Sequence, residues 1–277
     1  MKDQELNMNQ PMNVAVVVPT RNSEKTLRAC LESLRIQTFP CEVIVVDNKS
    51  SDSTVEIARG LADKLLVFGP ERSAQRNAGA AATDASVLGF IDSDMILSPS
   101  VIAEVVEAMD AGAASVTVPE LTVGHGYWAA VSAYERSFYQ GDENVEAPRF
   151  FLSKVFRSVG GFDEAMTGAE DWDLGLRTAD SGPRSRIGAG ILHQEGHVRY
   201  FNLCLKKAYY APGVAMFVRK HGIGTLRNMS QRQWVRQPKI LFKPLGIGLI
   251  LIKFGQAIAM IIALIVAATG RTIRLPE

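Results

Sequence analysis

The chain has 277 residues, 47% of them apolar, enough for one large core with a small appendage. Its three cysteines, Cys30, Cys41 and Cys204, form no spaced pair. That argues against a disulfide framework and for the reduced thiols of a cytosolic protein. A net charge of +1 hides a division: residues 1–195 carry 17 Lys/Arg against 28 Asp/Glu, and residues 196–277 carry 13 against one. Nets of −11 and +12 point to an anionic partner for the tail, nucleic acid or membrane.

Residues 1–12 are polar, lack an apolar stretch and are expected to be disordered, with no cleaved leader. Val14–Val18 then reads as a buried strand, and Ser23–Ile36 as a helix with Leu27, Leu31 and Leu34 on one face and Ser23 as N-cap. Val43–Val46, Leu65–Phe68 and Val87–Ile91 continue as strands, separated by helices over Ser53–Leu61 and Ser73–Ala82. Strands alternating with helices imply a parallel sheet covered on both faces, with a ligand crevice at the strand C-termini. No Gly-x-Gly-x-x-Gly follows the first strand, so the usual dinucleotide fingerprint is absent. Further on, Ala114–Val118, Phe150–Phe156 and Arg186–Leu192 read as strands, and Tyr127–Tyr139 and Glu170–Thr178 as helices.

Polar residues gather where the strands end. Strand one runs into Pro19-Thr20-Arg21-Asn22, and strand two into Asp47-Asn48 followed by capping residues. Glu71–Gly79 opens a helix with Arg72 and Arg76, and strand four runs into Asp92-Ser93-Asp94. Two carboxylates one residue apart can hold a hard divalent cation that bridges a diphosphate. Read alone, the triplet is equally a solvated loop or a helix N-cap. The four sites together converge on one crevice.

The ordered set Val-Val-Val-Pro-Thr-Arg-Asn, Val-Ile-Val-Val-Asp-Asn-x-Ser-x-Asp-x-Thr, Gln-Arg-Asn-x-Gly and Phe-Ile-Asp-Ser-Asp resembles the nucleotide-binding half of family 2 glycosyltransferases. The resemblance continues through Val159–Glu164 and Gly168–Leu174 and covers residues 13 to about 197. It implies an inverting GT-A fold: a Rossmann-like mixed sheet flanked by helices, with a nucleotide-sugar half (13–95) and an acceptor half (96–197). It further implies that Pro19, Thr20, Arg21, Asn22, Asp47 and Asn48 contact the base and ribose. Arg76 would lie near the diphosphate or base. Asp92, Ser93 and Asp94 would serve the ribose and a metal, Mn²⁺ or Mg²⁺.

Inversion needs one general base to take the acceptor proton, and the leaving diphosphate needs none if cations stabilise it. By the same resemblance Asp171 is that base and Glu170 orients it or binds acceptor hydroxyls. The plainer reading is that both favour a helix N-terminus. His193 offers a third metal ligand, alongside the alternative of a structural histidine at a strand end. His193–His197 lacks the His-Glu-x-x-His spacing of zinc proteases. Gln231-Arg232-Gln233-Trp234 fails the Gln-x-x-Arg-Trp spacing of processive synthases, which disfavours polymerisation.

Over residues 198–277 basic residues alternate with aromatics, among them Tyr200, Phe201, Tyr209 and Tyr210, a pairing suited to a membrane interface. No nucleic-acid module accompanies them. Leu245–Thr269 is almost unbroken apolar sequence, divided by Lys253. It fits a span, an interfacial pair of helices, or a buried contact in a homo-oligomer. The combined expectation is transfer of a sugar from a UDP- or GDP-sugar to the hydroxyl or phosphate of a lipid-linked acceptor, such as a polyprenyl phosphate, at the cytoplasmic face of a membrane. Lys206, Lys207, Arg219 and Lys220 are candidates for the acceptor phosphate. A sugar nucleotidylyltransferase would show a Gly-rich first loop in place of Pro-Thr-Arg-Asn. A non-catalytic sugar-nucleotide-binding protein would not need the acidic pairs.

Overall fold

The computed structural model describes residues 12–143, 145–225 and 242–269. Strand β1 (Val14–Thr20) is buried at every position, so its alternate side chains serve two cores. Val14, Val16 and Val18 face helices α1 (Leu27–Arg35), α2 (Thr54–Leu61) and α4 (Val101–Asp110). Ala15 and Val17 face α3 (Arg72–Ala81), α6 (Ser153–Ser158) and α7 (Glu170–Thr178). With β2 (Glu42–Asp47), β3 (Lys64–Val67), β4 (Val87–Phe90), β6 (Ser115–Thr117), β8 (Phe150–Leu152) and β9 (Arg184–Arg186), β1 forms a seven-stranded sheet of order β3-β2-β1-β4-β8-β6-β9. β1 to β4 pair in parallel and β8 runs antiparallel to both its neighbours, so the sheet is mixed as expected.

A second sheet, β5 (Met95–Leu97), β10 (Ile191–His197) and β7 (Glu120–His125), is absent from the sequence reading. It splits the expected strand Arg186–Leu192: Arg186 closes β9, and Ile191 opens β10 after Gly188-Ala189-Gly190 carries the chain between sheets. The expected strand Phe150–Phe156 likewise stops at Leu152 and turns into α6. Ser23 does not cap α1. Its carbonyl accepts from Thr26 and Leu27, its N–H goes to Thr54 Oγ1, and its hydroxyl meets Ser93. The helix therefore starts at Leu27.

Helix α5 (Tyr127–Ser137) covers the small sheet. α8 (Tyr200–His221) docks through Phe217 on Met166 and Ala169, and through Lys220 and His221 on the buried Asp173 of α7. The apolar segment is a single helix, α9 (Pro244–Ala268), packed on α8 and α5. It is long and apolar enough to cross a membrane. Cys30 and Cys204 are buried, Cys41 is half-buried, and all three are free thiols.

Candidate active site

The loops after β1 and β2 form one lip. Gln75 Nε2 donates to the carbonyls of Thr20 (3.0 Å) and Val46 (2.6 Å), locking the two strand ends together. Asp47 is buried and accepts from the backbone N–H (2.9 Å) and hydroxyl of Ser50. Asn22 adopts φ 49°, a left-handed conformation asparagine tolerates, and its side chain accepts from Ser51 N–H at 2.9 Å. Asn48 Nδ2 donates to Pro70 O at 2.6 Å. Pro19 lies within β1, Arg21 is exposed, and Ser93 Oγ is 3.0 Å from Ser23 Oγ. Thr20 Oγ1 is buried and has no hydrogen-bond partner among the described residues.

Behind the lip, Arg76 ties three acidic residues together. Its Nη2 donates to Asp92 Oδ1 (2.7 Å), and its Nη1 reaches Asp171 Oδ1 (2.9 Å) and Glu170 Oε1 (3.5 Å). The guanidinium is 0% exposed and lies over the Phe162 ring. Arg76, expected near the diphosphate or base, is a buried cation paired with these acidic residues. Desolvation opposes ionisation of Asp92, yet Arg76, Arg149 and Arg72 hold its carboxyl far below the ordinary range. Burial and the adjacent Asp171 carboxylate push Glu170 upward, against Arg72 and Arg76. Glu170 is 3% exposed and Asp171 40% exposed, so only Asp171 can meet an acceptor. Glu170 accepts from Arg72 and from Gly168 N–H, and so shapes the turn before α7.

The second sheet brings Asp94 to His193. Asp94 precedes β5 directly, and His193 pairs with Met95 across β5/β10, with Gln194 N–H donating to Asp94 O at 2.9 Å. His193 Nε2 lies 3.1 Å from Asp94 Oδ2, while Asp94 Oδ1 is buried with no hydrogen-bond partner among the described residues. An orphaned carboxylate oxygen beside an imidazole nitrogen fits a divalent cation with N and O ligands. Asp92, the other expected ligand, lies against Arg76 and Arg149. Among the described residues no group of three or more His, Cys, Asp or Glu forms a ready-made cage, so phosphate oxygens and water would complete the shell. Arg136 of α5 donates to His193 Nδ1 (2.7 Å) and to Glu195 (2.6 Å). With Nδ1 accepting from Arg136, the neutral ring carries its proton on Nε2; a cation at Nε2 would require that proton to move to Nδ1 and the Arg136 contact to break.

Asp92, Asp171 and His193 face a cavity of about 370 Å³, which Trp172, Arg149 and Gln256 also line. Lys206 and Lys207 stand on its wall. Lys220 does not: its Nζ is 2.8 Å from Asp173 and 3.1 Å from Asp163, holding α8 to α7, and Arg219 is exposed away from the cavity lining. The Gln231–Trp234 segment and Arg227, Arg232, Arg236 and Lys239 lie outside the described residues. Sequence reasoning gave no role to Gln75, though it lies in the Gln-Arg-Asn-x-Gly motif, and missed Arg136, Arg149, Glu195 and Gln256. An arginine or glutamine inside a helix or strand carries no local mark of its destination.

The mixed sheet, the acidic triplet at the end of β4 and the acidic start of α7 define a GT-A glycosyltransferase fold. The chain belongs to glycosyl transferase family 2, whose description it matches over residues 15–157. It is similar to the succinoglycan biosynthesis protein ExoA of Rhizobium meliloti, at 30% identity over 193 residues, 61% of this chain and 58% of that protein. It is also similar to the pre-mycofactocin glycosyltransferase of Mycobacterium tuberculosis, at 25% identity over 94% of this chain and 57% of that one. The chain thus spans less than two thirds of these relatives' length. Its fold is shared by the mannosyltransferase PcManGT from Pyrobaculum calidifontis, solved in complex with GDP-Man and Mn²⁺. That match has a TM-score of 0.59 and 17% identity, and it covers 95% of this chain and 77% of that one.

Proposed function

We propose that the protein transfers a sugar from a nucleotide-diphosphate donor to the hydroxyl of a lipid-linked acceptor, with inversion at the anomeric carbon. The observation that carries this reading is the placement of Asp171, half-exposed and 2.9 Å from Arg76, on the same cavity as Asp92 and His193. Thr20, Asn22, Asp47 and Asn48 form the lip that receives the base and ribose. Asp94 and His193 would hold a divalent cation, Mn²⁺ or Mg²⁺, which when bound supplies charge to the departing diphosphate. PcManGT, bound to GDP-Man and Mn²⁺, supports that donor class and cofactor.

Asp171 takes the proton of the acceptor hydroxyl as its oxygen attacks the anomeric carbon. Arg76 fixes one oxygen of that carboxylate and leaves the other for the acceptor. A phosphate acceptor arrives already deprotonated, so a poised base favours a hydroxyl. Lys206 and Lys207 would meet the phosphate of a polyprenyl-linked acceptor, and the apolar helix α9 would hold the protein to the cytoplasmic face of the membrane. The test is transfer from UDP- or GDP-sugars to a polyprenyl diphosphate sugar in vesicles, with the product anomer read by NMR. An inverted linkage formed only with a divalent cation supports the reading, and a retained linkage overturns single displacement.

A further inference from the structure

α9 is fitted to the catalytic domain along most of its length. Leu249 and Ile252 pack on Val131, Trp128 and Tyr200, and Ala263 packs on Ala208 and Ala211. Two glycines permit this closeness. A Cβ at Gly248 would lie 2.5 Å from Tyr127 Oη, and one at Gly255 would clash with Tyr200 Oη. Midway, Lys253 pairs with Glu135 of α5 at 2.5 Å, and Gln256 lines the active-site cavity with Lys206 and Lys207. The opposite face is apolar and exposed: Ile247, Ile250, Phe254, Ile258, Ile261 and Ile265 recur at intervals of three and four. Phe201 of α8, 75% exposed, adds to the apolar surface of the helix pair.

Resting on the lipid-linked acceptor reading, we propose that α9 lies in the plane of the membrane interface rather than across the bilayer. Its outer face enters the acyl region and its inner face forms a wall of the active site. A helix of 25 residues is about 37 Å long, enough to span. To span while keeping its contacts, however, it would carry Glu135, Lys206 and Lys207 into hydrocarbon, where charged groups are costly. In-plane placement avoids this and keeps those groups at headgroup depth. The partner surface is anionic lipid, because residues 196–276 carry 13 basic residues and no acid. A lipid acceptor then reaches Asp171 past Gln256 without leaving the membrane.

The test uses the full chain with Cys41→Ser and single cysteines at Ile247, Phe254 or Ile265, each carrying a fluorophore. It is bound to phosphatidylcholine–phosphatidylglycerol vesicles with a nitroxide placed high or deep on the acyl chain. The expected result is the same excess of shallow over deep quenching at all three positions. Deep quenching strongest at Phe254, with shallow quenching at the ends, would overturn the in-plane geometry and leave membrane attachment standing. No quenching anywhere would overturn the proposal and the membrane reading together. Pyrene excimers at Phe254 without lipid quenching would assign the face to a second copy, again against the proposal. Donor hydrolysis in the same samples reports on the catalytic reading independently.

Discussion

Nη1 of Arg76 sits 2.9 Å from Oδ1 of Asp171, and Nη2 of the same guanidinium sits 2.7 Å from Oδ1 of Asp92. One rigid, buried, planar cation therefore sets the distance between the end of β4 and the start of α7. Lysine keeps the charge but not the fork. Arg76→Lys should fold, keep nucleotide affinity near normal and lose turnover by about 10²-fold, because the base is displaced by roughly an ångström. Arg76→Ala should instead destabilise the protein by about 3–5 kcal/mol, by removing the buried cation from among three clustered acidic residues. Steady-state kinetics with thermal unfolding checks both, and wild-type turnover in Arg76→Lys would contradict the positioning role.

Asp171 and Glu170 are adjacent in sequence and opposite in environment. Asp171→Asn should leave donor affinity unchanged and reduce turnover by roughly 10²-fold or more, as for loss of a general base. Glu170→Gln mimics the protonated acid that burial already favours, and should retain most of the turnover. Kinetics of the two variants side by side would reverse the assignment if Glu170→Gln were the more damaging.

Arg136 would oppose a cation bound at His193. Its guanidinium donates to Nδ1 and pairs with Glu195, so it both fixes the proton on Nε2 and adds positive charge beside Asp94. Arg136→Ala should tighten Mn²⁺ binding and His193→Ala should weaken it, as read by titration calorimetry. Weaker binding in Arg136→Ala would mean that the arginine supports the ligand instead.

Much of this was legible in the chain. The four strand–loop motifs marked the lip and the Asp92 triplet, because local polarity at the end of an apolar run survives without tertiary context. The second sheet was not legible. β5 is three residues long and β7 exposes Leu121 and Val123, so neither shows the continuous apolar run of a buried strand. Without that sheet the path from Asp94 to His193 is invisible. For Arg76 the sequence carries charge and helix but not depth, so its burial among Asp92, Glu170 and Asp171 was not legible. Ser23 looked like an N-cap because serine before an apolar period usually is one; here its groups serve Thr54 and Ser93.

Acid should release α8 from the catalytic domain. Burial disfavours ionised Asp173, but Lys220, His221 and Arg177 outweigh it and hold its carboxyl below the ordinary value. A folded-state pKa below the unfolded value gives stability that is complete above about pH 4 and lost as pH falls through the folded value. Asp173→Asn should therefore lower Tm at neutral pH, with the gap to wild type closing as pH falls below about 4. A gap that stayed constant with pH would mean that packing, and not charge, holds α8.

A donor site for a nucleotide diphosphate would be completed by a cation at Asp94. The most direct measurement is thermal unfolding with UDP, GDP and ADP, each with Mn²⁺ or with chelator, for the wild type and for Asp94→Ala. A ligand at 100 times its Kd adds about 2.7 kcal/mol, a rise in Tm of roughly 5–10 °C for a domain of this size. The predicted result is that rise with UDP or GDP in Mn²⁺, absent in chelator and absent in Asp94→Ala. No shift with any nucleotide, or the same shift in Asp94→Ala, would contradict it.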